Sequence, residues 1–516
     1  MSAKEKKDVL VMGIDLGTTG VKIVLVDCMG RVKTSVTEEY PLLTPKPGWA
    51  QQNPSDWWSA TVKGIRNILK KQAISGDCIA GIGLTGQMHG AVFLDANHEV
   101  LYPAILWCDQ RTAKECEEIT SRVGKQRVFD ITCNPVLTGF QAPKILWLKN
   151  NYPQLYKNIH RILLPKDYIR FHLTGGFATD VSDASGTSLF DVKARKWSSE
   201  ILDALEIPEE YLPTAYESVE ITGTVSRKAA DITGLAEGIP VVAGGGDQAA
   251  GAVGNGITRE KLVSISVGTS GVVFAYSDRV FVDPLGRLHT FCHAVPGKWH
   301  LMGVMLSAGG SFRWLRDTFF SAEKEIAEKQ NRQVYEDLIG MAQSVPVGSE
   351  GLIFLPYLTG ERCPYPDPDA KGVFFGVSLK TTKAHFVRSV LEGVSFGLRD
   401  SLEIMKKIGL QTGGVCRVSG GGGRSPFWCQ MLADIMNEKM VRLTTEEGPA
   451  YGAALLAGSG INLYPKIEQA CDEFLKEKDI FLPEPAIVKK YAAIYPLYGK
   501  LYHDLKSSFD HLAKIS

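Results

Sequence analysis

Gly17-Thr18-Thr19-Gly20-Val21, set between the apolar runs 9–14 and 24–26, returns in the second half of the chain as Gly268-Thr269-Ser270-Gly271-Val272, flanked by the apolar runs 262–267 and 273–275. Strand, glycine turn and strand recur in the same order, so the sequence predicts a duplication of two related halves. A glycine between apolar strands lets the backbone approach a ligand without a Cβ in the way, and Thr or Ser beside it offers hydroxyl and amide donors to phosphate oxygens. One such hairpin is explained equally well as an ordinary turn. Two in matching contexts predict a cleft, walled by both halves, that grips one nucleotide.

The length of 516 residues exceeds what one core can organise, and the repeat divides it at about residue 255 into domains 1–255 and 256–516. Apolar residues form 44% and charged residues 22% of the chain, which predicts a packed globular protein. Lys plus Arg and Asp plus Glu both number 57, and no basic block breaks that balance, which argues against nucleic acid or an anionic membrane as partner. The ten cysteines form no Cys-x-x-Cys pair and read as free thiols of a reducing, cytoplasmic environment. The N-terminus is charged through Lys7, and its apolar run ends at Asp15, too short for a signal-peptide core; no stretch reaches the ~18 apolar residues of a membrane span.

A third strand over 32–38 completes an antiparallel meander. Asn53-Pro54, followed by Trp57, Trp58, Val62, Ile65 and Ile68 at helical spacing, predicts a helix over 54–71. A strand over 79–85 delivers Gln87-Met88-His89-Gly90 at its C-terminal end, where open α/β sheets place ligands. Helical patterns dominate 112–205. A strand over 239–243 leads into Gly244-Gly245-Gly246-Asp247, with Asp247 read as a helix N-cap. After the repeated hairpin, helices and strands alternate to Val418, where a glycine run joins a strand to a helix, and residues 491–515 read as a final helix.

Asp15 breaks an apolar strand directly before the first turn, where a carboxylate holds Mg²⁺ or a metal-bound water against phosphates, or simply caps the turn; the second hairpin has Val267 near the matching place. Asp247 follows three glycines and opens a helix whose N-terminus favours an ionised carboxylate, suited to take a proton from a substrate hydroxyl. Gln87, Met88 and His89 offer an amide, a thioether and an imidazole to a polyhydroxylated ligand, although a lone histidine after a strand is commonly structural. Trp107 and Asp109 suit a sugar site or a buried ion pair under Trp107. The run Gly420–Gly423 suits an adenine or ribose platform, Gly309 and Gly310 give a further close approach, and Arg362 pairs with Glu361 or with a phosphate.

Taken together, Gly13-Ile14-Asp15-Leu16-Gly17-Thr18-Thr19, Gly244-Gly245-Gly246-Asp247-Gln248, Ser266-Val267-Gly268-Thr269-Ser270, Leu355-Pro356-Tyr357-Leu358-Thr359-Gly360-Glu361-Arg362 and Gly448-Pro449-Ala450-Tyr451-Gly452-Ala453-Ala454 resemble, in order, the FGGY carbohydrate kinases. Gln87-Met88-His89-Gly90, Leu164-Pro165-Lys166-Asp167-Tyr168 and His289-Thr290-Phe291-Cys292-His293 are similar to the branch acting on D-xylulose. The resemblance implies an α/β fold of two actin-like ATPase (ribonuclease H-like) domains with a cleft between them, and ATP- and Mg²⁺-dependent phosphorylation of the sugar's 5-hydroxyl. By the same match Asp247 and Asp15 are the catalytic pair, with Asp15 at the metal, directly or through water. Gln87, Met88, His89, Trp107, Asp109 and Gln248 surround the sugar. Gly17, Thr18, Thr19, Gly268, Thr269, Gly309, Gly421 and Ser425 line the nucleotide. Cys108 and Gln248 stand where the family often has Asn, which leaves open other acceptors such as gluconate, ribulose or glycerol. A nucleotide-driven switch of the actin or chaperone type is the remaining alternative, and a homodimer is left open.

Overall fold

The computed structural model describes residues 9–445 and 447–515; the charged stretch through Lys7 lies outside them. Its frame is a pair of seven-stranded sheets. The first contains β1 (Leu10–Leu16), β2 (Gly20–Asp27), β3 (Val32–Glu39), β4 (Ile79–Gly86), β5 (Ile221–Thr224), β6 (Pro240–Val242) and β7 (Gly245–Gly246). The second contains β8 (Leu262–Val267), β9 (Gly271–Ser277), β10 (His289–Cys292), β11 (Trp299–Met305), β12 (Val415–Ser419), β13 (Lys439–Leu443) and β14 (Glu477–Phe481).

Across the first sheet the order β3-β2-β1-β4-β6-β5 pairs antiparallel, antiparallel, parallel, parallel, antiparallel. The order β11-β9-β8-β12-β13-β14 repeats that sequence of pairings in the second sheet. The duplication expected from two hairpins thus extends through six strands of each sheet. Its register corrects one expectation. Asp15 pairs with Lys22 and Thr85, whereas the residue two places before the second turn, paired with Val272 and Ser419, is Ser266 and not Val267.

Two of the turn glycines, Gly20 and Gly271, are required by crowding. None of Gly17, Gly20, Gly268 and Gly271 has a positive φ, but a Cβ on Gly20 would lie 2.7 Å from the Glu38 carbonyl oxygen.

Helix α1 (Pro54–Gln72) starts with proline at its first position and buries Trp57, Ala60, Thr61, Ile65, Ile68 and Leu69 at three- and four-residue spacing against β2 and β3. Further on come α2 (Pro165–Thr174), the single turn α3 (Val181–Ala184), α4 (Asp247–Gly254), α5 (Gly309–Phe319), α6 (Lys383–Lys407), α7 (Pro426–Met436), α8 (Gly448–Gly460) and α9 (Pro485–Ile515), the last beginning ahead of the expected Tyr491. Asp247 is the first residue of α4 and Gly246 its N-cap, so the carboxylate is not spent on capping.

Helix α8 belongs by sequence to the second half but lies on β1 and β4 of the first sheet. A Cβ on Gly13 or on Gly83 would sit 1.9 Å from the carbonyl oxygen of Ala450 or Ala453. Helices α4 and α8 also touch backbone to backbone: a Cβ on Gly452 would sit 1.8 Å from the Ala250 oxygen. One apolar cluster therefore runs through both halves, including Val11, Val24, Ala249, Val253, Phe274, Val441 and Ala454. Among the described residues no helix is long and apolar enough to cross a membrane, and all ten cysteines are unpaired.

Candidate active site

Strand β7 pairs with Thr85 and Gly86, so the backbone that carries Asp247 leaves the sheet beside the loop 87–90. The contact is close: a Cβ on Gly246 would lie 2.9 Å from Cγ and 3.0 Å from Sδ of Met88. His89 takes a left-handed conformation (φ 69°), and its Nδ1 lies 2.6 Å from the Gly186 carbonyl oxygen. A carbonyl can only accept, so Nδ1 carries the proton. Burial pushes the ring's pKa down to about 3, which keeps it neutral and leaves Nε2 as an acceptor. Phe140 packs on the ring at 4.6 Å, and Lys144 Nζ donates to the carbonyls of His89 (2.8 Å) and Gly139 (2.7 Å), which fixes the loop.

Burial, and then the nearby charge of Asp15, push Asp247 from 3.8 up to about 7, against hydrogen bonds from Gln248 that pull it down. The expectation that the helix end would keep it ionised fails on magnitude. A helix N-terminus is worth about 0.3–1 kcal/mol, whereas three pKa units correspond to ~4 kcal/mol. Burial also raises Asp15 to about 6, with Lys22 opposing. Two neighbouring carboxylates thus titrate close to neutrality, an arrangement suited to passing a proton. Asp15 Oδ1 is buried and has no hydrogen-bond partner, so an acceptor of hard-cation type stands unsatisfied near Asp247, although Asp15 is not among the cavity-lining residues.

A cavity of about 420 Å³ opens beside Asp247. Asp247 and Gln248 stand on its α4 wall, Ser264 and Ser266 on β8, and Gly420, Gly421, Gly423, Arg424 and Arg442 face them. Gln248, expected at the sugar, thus shares with Asp247 the wall of the cavity that the glycine run also lines.

The other expected nucleotide residues lie outside this lining. Ser425 caps α7, its hydroxyl accepting the Trp428 N–H (3.3 Å). Gly309 and Gly310 donate to the carbonyls of Gly268 (2.8 Å) and Thr269 (2.9 Å), so the start of α5 clamps the second hairpin. The tips Thr19 and Thr269 are exposed, and the Tyr40 hydroxyl donates to the Gly17 carbonyl.

Two expected sugar contacts are consumed by the protein itself. Asp109 is fully buried, with Oδ2 accepting from the Ala50 N–H (2.6 Å) and from Arg111 (2.7 Å). The ion-pair alternative is what forms, under Trp49 and Trp147 and not Trp107: the guanidinium lies 3.6 Å from the Trp49 ring centre and 4.9 Å from that of Trp147. Gln87 is 2% exposed, and its amide is tied to Gln52 (3.0 Å) and Thr18 (3.4 Å). Trp107, 39% exposed, donates from its indole N–H to Thr18 Oγ1 (3.0 Å) and leaves its ring facing outward. Arg362 forms no side-chain pair with Glu361, whose Oε1 instead takes the N–H groups of Leu306 (2.9 Å) and Arg362 (2.7 Å). The Arg362 charge reaches His89 and His289.

Residues 10–254 match the FGGY family of carbohydrate kinases, N-terminal domain, and residues 263–461 match its C-terminal domain. The chain belongs to the FGGY family of carbohydrate kinases. This FGGY kinase is 42% identical over 95% of its length to a xylulose kinase of Lactococcus lactis subsp. lactis, covering 96% of that protein. It is 40% identical over 96% of its length to a xylulose kinase of Escherichia coli, covering 99%. A solved gluconate kinase from Lactobacillus acidophilus shares the fold with a TM-score of 0.90 at 28% identity, over 98% of this chain and 99% of that one.

Sequence reasoning missed the cavity face of β8 and the residues behind the site. The first was legible: Ser264 and Ser266 alternate with Val263, Ile265 and Val267, a period of two that puts polar groups on one side of a buried strand. Gln52, which orients Gln87, and Ser182, which reaches Gly246, carry no local signal; only the fold brings them there.

Proposed function

We propose that this FGGY kinase transfers the γ-phosphoryl group of ATP to the 5-hydroxyl of D-xylulose, with Asp247 taking the hydroxyl proton. The observation that carries the reading is the placement of Asp247. Its preceding residue packs on Met88, beside His89, while its own side chain borders the cavity floored by the glycine run. A group at the junction of a polyol loop and a nucleotide-sized cavity is where attacking oxygen and terminal phosphate meet. Xylulose is favoured among acceptors by the full-length relatives at 40–42% identity, both xylulose kinases.

In this reading residues 1–255 supply the sugar loop and the base, and residues 256–516 supply most of the nucleotide cavity. Neutral His89 accepts a hydrogen bond from a sugar hydroxyl at Nε2, Met88 gives an apolar wall, and the exposed Trp107 ring offers a flat face. Asp247 accepts the proton as O5 attacks, a role worth typically ~10²–10⁴-fold. The orphaned, partly ionised Asp15 fits Mg²⁺, directly or through water, and the ion would neutralise phosphate charge. Closure of the cleft excludes water so that the sugar, not solvent, is phosphorylated. The free thiols suit a reducing cytoplasm.

The likeness to a gluconate kinase favours a second reading, a sugar-acid acceptor. A coupled ADP-release assay across D-xylulose, D-ribulose, gluconate and glycerol separates them: kcat/KM is highest for D-xylulose. A higher value for gluconate replaces the acceptor, and ATP turnover independent of any sugar removes the kinase reading.

A further inference from the structure

Three glycines ahead of Asp247 place the expected base on intrinsically flexible backbone, yet in-line transfer loses about 10²-fold for a 1 Å misplacement. Beyond the pairing of β7 with β4, a buried charge cluster behind the site holds this backbone. Lys166 Nζ on α2 donates to Asp167 Oδ1 (2.7 Å) and forms ion pairs with Asp180 Oδ2 (2.8 Å) and Asp183 Oδ2 (3.2 Å). Asp180 Oδ1 accepts the Ser182 hydroxyl and the Ser182 N–H (2.8 Å), and Ser182 Oγ in turn accepts the N–H of Gly246 at 3.1 Å. From the same cluster Arg170 donates to the carbonyls of Val242 (2.7 Å) and Ala243. Lys166, Arg170, Asp180, Ser182 and Asp183 are all wholly buried.

The cluster therefore grips backbone atoms on both sides of Gly244-Gly245, and Ser182 holds the Gly245–Gly246 peptide, one residue ahead of Asp247. The opposite side is closed by Met88, against which Gly246 packs. The same turn also provides the Gly186 carbonyl that orients His89. One short segment, residues 180–186, thus sets both the base-bearing strand and the imidazole on the polyol loop. Stability alone is a poor explanation, because apolar side chains of similar volume stabilise a core as well as buried ion pairs or better.

We infer that Ser182, anchored through Asp180 to Lys166, is the positioning residue that fixes Asp247 against the acceptor hydroxyl. The inference depends on the reading of Asp247 as base. In the full-length protein, Ser182→Ala is expected to lower kcat for D-xylulose by about tenfold or more while KM for sugar and ATP changes less than about twofold. It also raises the ATP hydrolysed per sugar phosphate formed, since a misdirected hydroxyl lets water compete. Ser182→Thr, which keeps the acceptor oxygen, restores most of kcat; Ser182→Cys, nearly isosteric with a weak acceptor, replaces the Ala variant if that one does not fold. Full kcat and unchanged coupling in the Ala or Cys variant, with Asp247→Asn inactive, overturn the tether alone. An equal loss in the Thr variant with a lowered Tm makes the serine merely structural. Full activity of Asp247→Asn removes the base, and the tether with it.

Discussion

Asp247→Asn should abolish turnover and stabilise the protein, and the size of the second effect should depend on pH. The carboxyl has a pKa of 3.8 when exposed and about 7 in the fold, raised by burial and by Asp15. Below 3.8 it is protonated in both states and costs nothing. Between 3.8 and 7 the unfolded chain releases its proton while the folded one keeps it, so native stability declines; above 7 the cost is level. At ~1.36 kcal/mol per unit this is about 1.7 kcal/mol at pH 5 and about 4 kcal/mol at pH 8, trimmed by the part of the carboxylate that meets solvent. Asparagine has the same shape without the charge, so its advantage grows by ~2.5 kcal/mol over that range. For a cooperative unit of this length, that is a Tm gain larger by about 2–3 °C at pH 8 than at pH 5. Calorimetry of both proteins at the two pH values, with sugar-dependent ADP release alongside, measures it. A Tm gain equal at both pH values, or an Asn variant less stable at pH 8, refutes the account of the buried carboxylate; kcat reduced less than tenfold refutes the base, whose loss is worth ~10²–10⁴.

In the parent, kcat should rise with pH through about 7 as Asp247 ionises, and Asp15→Asn should move that midpoint down because it removes a neighbouring negative charge; a pH–rate profile of each decides. The same Asp15 variant should lose most magnesium-dependent turnover, checked by magnesium titration. Asp109→Asn should lower stability by ~3–5 kcal/mol through the stranded Arg111 yet leave KM for the ketose unchanged, as denaturant titration and steady-state kinetics will report. Gly452→Ala drives a methyl into the Ala250 carbonyl and should cost ~1–3 kcal/mol or more, visible in the same titration.

The fold was legible because its information is local and repeated. The hairpins 17–20 and 268–271, the helix after Asn53-Pro54 and the strand before Gln87 each follow from a turn residue beside an apolar pattern. Of the residues expected at the site, the structure gathers those that chain order already brings together: Met88 against Gly246, His89 beside it, and Asp247 at the cavity with Asp15 close enough to affect its charge. Asp109 and Gln87 misled because a polar residue in a good motif looks the same whether its partner is a ligand or a buried Arg111 or Gln52 far along the chain. The titration of Asp247 was misjudged for a related reason: the helix start is visible in sequence, but the burial and the Asp15 charge that outweigh it are not.

Helix α8 covers the sheet built by the opposite half, its alanines pressed against Gly13 and Gly83. The midpoint that divides the repeats is therefore not a place where the molecule can be cut. A fragment ending near 255 would leave a bare strip of strand backbone where a helix belongs, and a fragment beginning there would carry a small-residue helix with nothing to lie on.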